Sequence, residues 1–184
     1  MNRRIAIRNM ALILGSAAVL PSCLSDKGKP VVQLKHLKID ADQENLVNNL
    51  TETILPKTDT PGAMDLGINL FVFKMIDDCY DKEHRADFIT GLSDFAAEAK
   101  KHLGKSFNDS TAIERTTFVS GIDKKSKDEK YKDNTKLIAF YKMVKDQTVF
   151  GYTTSKYFMT KQIVYELVPG RYNAMFPVKS KTTA

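Results

Sequence analysis

The ten residues that separate two helical patterns are Ile54-Leu55-Pro56-Lys57-Thr58-Asp59-Thr60-Pro61-Gly62-Ala63. Before them, residues 40–55 repeat apolar side chains at helical spacing, and Pro56 ends that pattern because proline cannot donate a helical hydrogen bond. After them, helical spacing resumes from Ala63 to about Tyr80. Between the helices, two prolines fix φ, and Asp59 can hydrogen-bond the turn backbone. The stretch therefore predicts a rigid turn that joins two helices.

Three more helices are predicted further along the chain: residues 82–102, a shorter one from a cap at Asp109 or Ser110 to about Ile122, and residues 134–148. Segment 63–80 carries apolar residues almost all round its middle, which predicts that it is the central helix. No alternating apolar pattern is long enough for a sheet. We therefore predict an all-α fold, a single compact domain of about five helices with an irregular extended C-terminal tail.

Length and charge limit the class of protein. A chain of 184 residues with 42% hydrophobic residues fits one domain with a core of its own. The formal charge is +6, which invites a nucleic-acid interpretation. However, the most lysine-rich stretch, residues 123–136, mixes six Lys with four acidic residues and contains no Arg. We interpret it as a solvated loop and predict no nucleic-acid partner.

The N-terminus has the pattern of an export signal. Basic residues precede an apolar run from Met10 to Leu20, which at about eleven residues is too short to cross a bilayer. Small residues and Cys23 follow, in an order that resembles a bacterial lipobox. We predict that residues 1–22 are a signal peptide and that Cys23 is lipidated, which places the protein on the periplasmic side of the envelope. An uncleaved anchor or a buried first helix remains the alternative.

The pair Arg3-Arg4 resembles the twin-arginine export motif, and a general secretory signal is the alternative. Removal of the signal takes three Arg and leaves 25 basic and 22 acidic residues, a net charge of +3. We interpret residues 23–39 as a tether and residues 40–184 as the helical domain. With Cys23 acylated, Cys79 is a lone thiol, either a buried small hydrophobe or a bridge to a partner.

One cluster mixes groups that could bind a metal or act in catalysis, between Asp77 and His84. Asp77, Asp81 and His84 could share one helix face, but their spacing matches no familiar set of metal ligands, and a charged helix end is the simpler interpretation. Gly62 and Gly67 stand at phosphate-loop spacing without the Lys-Ser/Thr pair that such a loop needs. The sequence therefore predicts no catalytic, metal-binding or cofactor-binding residue.

Two further turn-like motifs accompany the first, Gly151-Tyr152-Thr153-Thr154-Ser155 and Val168-Pro169-Gly170-Arg171-Tyr172. Rigid turns that present Tyr and Arg suit a docking surface. An equal alternative is that these residues only form the turns that end and join helices. The residues that we predict to contact a partner are Pro56, Thr58, Asp59, Pro61, Gly62, Tyr152, Ser155, Pro169, Gly170, Arg171 and Tyr172.

These three motifs, in this order and behind a signal with an Arg pair, resemble the gluconate 2-dehydrogenase subunit 3 family. The resemblance runs from about Asp42 to Pro177, and its most specific stretch is Leu55 to Ala63. It implies a small, non-catalytic gamma subunit that binds a flavin-dependent dehydrogenase of the glucose-methanol-choline type, often beside a cytochrome c subunit. FAD is then expected in the partner, and this chain would aid its export, maturation and membrane tethering.

Two other functions stay open at this point. One is a stand-alone periplasmic lipoprotein that binds a small ligand or glycan in a helical pocket. The other is a small enzyme that uses the cluster between Asp77 and His84.

Overall fold

The computed structural model describes residues 30, 32–128, 136–163, 170, 174 and 175. These residues form five α-helices and one π-helical turn, and none of them is in a strand. The helices are α1 (Ala41–Ile54), α2 (Ile68–Cys79), α3 (Lys82–Leu103), α4 (Ala112–Lys127) and α5 (Lys136–Thr153), and the π-helical turn is Phe158–Gln162. The predicted all-α class is therefore confirmed, while most of the predicted C-terminal tail lies outside the described residues.

The central helix is α5 rather than α2. It packs against each of the four other α-helices, and most extensively against α3. Phe140 in α5 is fully buried, with its ring centroid 5.0 Å from that of Phe88 and 5.6 Å from that of Phe95. The prediction that segment 63–80 is central was wrong, because α2 turns one apolar side to the surface, where Leu70 is 48% exposed.

The contact between α3 and α5 depends on Gly91. A Cβ atom at this position would lie 2.3 Å from the carbonyl oxygen of Lys136 and 2.5 Å from the Cβ of Phe140. The two helices therefore approach closely enough that only glycine fits at the crossing.

Side-chain caps set the starts of three helices. The Asp40 carboxylate accepts the backbone N–H of Gln43 at the start of α1, which settles the choice between Asp40 and Asp42. Asp81 caps α3. The cap of α4 is Thr111, in a capping box with Glu114, rather than the predicted Asp109 or Ser110.

Asp109 and Ser110 are unavailable as caps because both are bonded to Ser106. The Ser106 hydroxyl donates to the Asp109 carboxylate at 2.7 Å, and the Ser110 hydroxyl donates to the Ser106 carbonyl at 2.8 Å. A tight turn before α4 therefore uses the two residues that the sequence pattern assigned to its cap.

Helix α2 begins five residues later than the pattern predicted. Residues 63–67 form a turn in which the Ile68 N–H donates to the Ala63 carbonyl at 2.9 Å. Gly67 ends this turn with φ at +66°, a left-handed conformation that side chains other than glycine rarely adopt. The helical spacing before Ile68 thus belongs to a turn that precedes the helix.

Part of the predicted tether packs on the helical domain. Val32 and Leu37 are buried in the core, and the backbone N–H groups of Lys35, His36 and Leu37 all donate to the Asp77 carboxylate. The packed region therefore begins at or before Val32. The predicted signal peptide 1–22, with Arg3 and Arg4, and the lipidation site Cys23 lie outside the described residues. Among the described helices, none has both the length and the apolar character needed to cross a bilayer.

Candidate functional site

The loop after α1, Leu55–Ala63, is hydrogen-bonded to the side chain of Glu52, a residue that the sequence analysis did not single out. Its carboxylate accepts the backbone N–H of Lys57 at 3.2 Å and that of Met64 at 2.9 Å. Both ends of the loop are thereby bonded to one side chain in the last turn of α1. One feature of the sequence could have indicated this role. Glu52 lies just before a proline-bounded turn, and the backbone N–H groups of that turn have no acceptors within a helix.

Gly62 lies against this carboxylate. A Cβ atom on Gly62 would lie 2.5 Å from Glu52 Oε1 and 2.7 Å from the Lys57 nitrogen, so a side chain does not fit without displacement. The Gly62 N–H donates to Asp65 at 3.3 Å, and Asp65 forms an ion pair with Lys57 at 3.1 Å. The Lys57 ammonium and the Gly62 N–H lower the pKa of Asp65. Gly62 is buried, and its place in the motif is explained by this packing.

The remaining predicted contact residues of the loop differ in exposure. Pro56, Thr58 and Asp59 are exposed, whereas Pro61 is half-buried. Asp59 was expected to hydrogen-bond the turn backbone, but Glu52 and Asp65 accept those N–H groups instead. The loop therefore presents Pro56, Thr58 and Asp59 to solvent on a backbone that is bonded internally.

The second motif is the end of α5. Residues 151–153 are helical, so α5 extends past the predicted end at residue 148. The Ser155 hydroxyl accepts the backbone N–H of Phe158 at 3.2 Å and so caps the short helical turn that follows. Tyr152 is half-buried and packs edge-on against Phe158, with 5.2 Å between the two ring centroids.

Gly151 brings the two motifs to the same end of the bundle. Its Cβ position lies 2.8 Å from the Phe71 ring and 3.3 Å from Ile68, so α5 approaches the first turn of α2 closely. Ile68 follows the first loop by only five residues. Of the third motif, Gly170 is described and exposed, while Pro169, Arg171 and Tyr172 lie outside the described residues.

The cluster between Asp77 and His84 has structural roles for its members. Asp77 is fully buried and accepts the three N–H groups of residues 35–37. Asp81 caps α3 and bonds the His84 ring at 2.8 Å. The His84 N–H and ring lower the pKa of Asp81, and Asp81 in turn raises the pKa of His84. In the part of the chain that the structure describes, no three His, Cys, Asp or Glu residues lie close enough to hold a metal ion.

Cys79 at the end of α2 is exposed, with its sulfur 3.9 Å from that of Met75. The interpretation of Cys79 as a buried small hydrophobe was therefore wrong. A bridge to a partner stays a prediction.

Most polar groups that line the cleft between the start of α1 and α3 already have hydrogen-bond partners. This cleft has a volume of about 510 Å³. Its Asp40 and Gln43 bond each other, and Asn108 bonds both Asn49 and the Asp42 carbonyl at 3.0 Å. Since these groups already have partners, the cleft gives no support to a ligand-binding lipoprotein.

A family model described as gluconate 2-dehydrogenase subunit 3 matches residues 41–170 of the chain. Searches of the curated proteins and of the solved structures found no match.

Proposed function

The chain belongs to the gluconate 2-dehydrogenase subunit 3 family, and from this membership we propose that it is the non-catalytic accessory subunit of a flavin-dependent sugar dehydrogenase complex. The observation that carries the proposal is the extent of the family match, since residues 41–170 include every described helix and the π-helical turn. In this proposal the FAD belongs to a catalytic partner of the glucose-methanol-choline type, with which a cytochrome c subunit often associates. This chain itself binds no cofactor.

The contact with the partner is proposed at the end of the bundle that carries the first two motifs. The exposed side chains of Pro56, Thr58 and Asp59 stand on a loop whose backbone is bonded to Glu52. A loop that is ordered before binding loses little conformational entropy when it docks, which favours its use as a recognition element.

The chain is further proposed to escort its partner across the membrane and to tether it there. FAD is inserted in the cytoplasm, so the flavoprotein must cross in a folded state, and the Arg3-Arg4 pair supports the route that carries folded proteins. Lipid on Cys23 would then hold the complex at the periplasmic face. The nine-residue step from Cys23 to Val32 spans at most about 30 Å, which keeps the helical domain close to the bilayer surface.

Replacement of both Arg3 and Arg4 by Lys tests the escort role. We expect this variant to leave the chain and the flavoprotein in the cytoplasm, because the twin-arginine route requires the arginine pair. The measurement is the distribution of both proteins between cytoplasm and periplasm after fractionation. Arg8→Lys is the matched control, since it makes the same exchange within the same basic segment and should not change export. Normal export of the partner beside the double variant would rule out the escort role.

A further inference from the structure

The corner between α2 and α3 depends on one carboxylate oxygen. Asp81 Oδ1 accepts the backbone N–H of His84 at 2.8 Å, which caps α3, and it lies 2.8 Å from Nδ1 of the His84 ring. The His84 N–H and ring lower the pKa of Asp81, so this oxygen belongs to a carboxylate near neutral pH. Because an acceptor faces it, Nδ1 carries a proton whether the ring is neutral or charged. Titration of His84 therefore removes a charge from this contact but leaves its hydrogen bond.

The charges around the His84 ring are mostly acidic. Asp81 raises the pKa of the ring most, first through the hydrogen bond and then through its charge, and Glu83 and Asp87 add to the effect, while desolvation opposes it. From α5, the ammonium group of Lys136 lies 2.6 Å from Asp87 and offsets part of this negative charge. The other titratable residues of the corner and its flanking turns are Asp77, Asp78, Cys79, Tyr80, Lys82 and Arg85.

His84 belongs to a set of contacts that join three helices. One guanidinium nitrogen of Arg85 donates to the carbonyl oxygens of Asp77 at 3.2 Å and of Tyr80 at 2.6 Å, at the end of α2. The Tyr80 hydroxyl accepts the Gln147 amide of α5 at 3.0 Å. The Tyr80 ring stands edge-on to that of His84, with 6.1 Å between the two centroids. A change in the charge of His84 therefore acts where α2, α3 and α5 meet.

We propose that His84 makes this corner sensitive to pH, because the imidazolium pairs with the Asp81 carboxylate whereas the neutral ring keeps the hydrogen bond alone. A histidine with a raised folded-state pKa stabilises the fold fully below its unfolded pKa, near 6.5, and this contribution disappears as the pH rises through the folded value. The start of α3 is therefore held more firmly in mildly acidic than in mildly alkaline solution. Both side chains are more than half exposed, so loss of the charge pair weakens the corner without unfolding the domain. The inference does not depend on the proposed function.

The first test is an NMR titration of the His84 ring in the purified full-length chain and in its Asp81→Ser variant. Serine caps helices about as well as aspartate, so α3 keeps its cap while His84 loses its charged partner. We expect His84 of the wild type to titrate at a higher pH than His84 of the variant, and added salt to reduce this difference. Equal titration midpoints in the two proteins would overturn the inference, because the pair would then have no influence on the ring.

The second test separates the charge of His84 from the cap, through thermal unfolding of the wild type and of His84→Gln across the pH range of the titration. Glutamine supplies an N–H donor for Asp81 but carries no charge, and Asp81 stays in place as the cap. The difference in Tm between the two proteins should be largest below the titration midpoint and shrink above it. Contributions from His36 and His102 cancel in this difference because both proteins contain these residues. A difference in Tm that does not change with pH would overturn the inference.

Discussion

Asp77→Asn is expected to lower the free energy of unfolding by about 2–4 kcal/mol, because buried backbone donors then lose a charged acceptor. In the wild type, the Asp77 carboxylate accepts the N–H of Lys35 at 2.6 Å, that of His36 at 2.8 Å and that of Leu37 at 2.7 Å. An asparagine has the same shape but only one acceptor oxygen, and its amide group would point donors at donors. Urea denaturation followed by circular dichroism measures the loss.

Asp78→Asn is the matched control for this prediction. Asp78 is adjacent in sequence but exposed, and its ion pair with Lys35 is at the surface. Surface pairs contribute little to stability, so Asp78→Asn should leave the unfolding curve nearly unchanged. Equal losses in the two variants would mean that the buried carboxylate is not the anchor that the geometry indicates.

The effect of Asp77 should also depend on pH. Burial raises the pKa of this carboxyl group, but the N–H groups of Lys35, Leu37 and His36 together outweigh burial and hold the pKa below its usual value. A carboxyl group with a lowered folded-state pKa stabilises the fold above its unfolded pKa, near 4, and loses this contribution as the pH falls through the folded value. The difference in stability between wild type and Asp77→Asn should therefore be full at neutral pH and shrink below about pH 4.

Loss of this anchor should also loosen the segment that precedes α1. Residues 32–37 lie along α2, where Asp77 bonds their backbone and Lys74 bonds the carbonyl of Gln33. Asp77→Asn should therefore speed amide hydrogen exchange at residues 35–37. The anchor therefore fixes the position of residues 35–37 on the helical domain.

Gly91→Ala is expected to destabilise the protein by about 2–3 kcal/mol, although alanine is the better helix former. The added methyl group would lie 2.3 Å from the Lys136 carbonyl oxygen and 2.5 Å from the Phe140 Cβ. Neither atom can move by rotation of a side chain, so the central helix α5 must shift away from α3. Thermal unfolding of the purified variant measures the effect.

Gly121→Ala is the control for this prediction, and it should raise the stability of the protein where Gly91→Ala lowers it. Gly121 is also inside a helix, α4, but a Cβ atom there meets nothing within 4 Å. The same exchange should therefore stabilise the protein by about 0.5–1 kcal/mol through helix propensity alone. If Gly91→Ala were stabilising as well, the close approach of α3 and α5 would be contradicted.

The sequence predicted those parts of the fold that depend on local chemistry. Helical spacing and turn residues indicated about five helices, and the structure has five α-helices among the described residues. The centrality of α5 was missed because apolar periodicity reports how much of a helix is apolar, while its neighbours decide whether that surface is buried. The cap of α4 was misassigned because Ser106, outside the pattern, bonds both expected caps.

The sequence indicated the motifs of the candidate site but not the contacts that hold these motifs in place. The loop Leu55–Ala63 was singled out from its prolines, and Asp59 was given the role that Glu52 and Asp65 fill. A carboxylate that reaches back from the preceding helix cannot be distinguished by sequence from other surface acids. The contact of Gly151 with α2, which joins the first two motifs, depends on tertiary packing that spacing does not encode.

Affinity purification of the tagged wild-type chain from its own cells tests the central claim, that this protein is an accessory subunit, most directly. We expect a larger flavin-containing protein to co-purify in a fixed ratio, with sugar dehydrogenase activity in the same fraction, identified by flavin absorbance and mass spectrometry. A colourless monomer, purified from cells that produce the dehydrogenase and free of any flavoprotein, would contradict the claim.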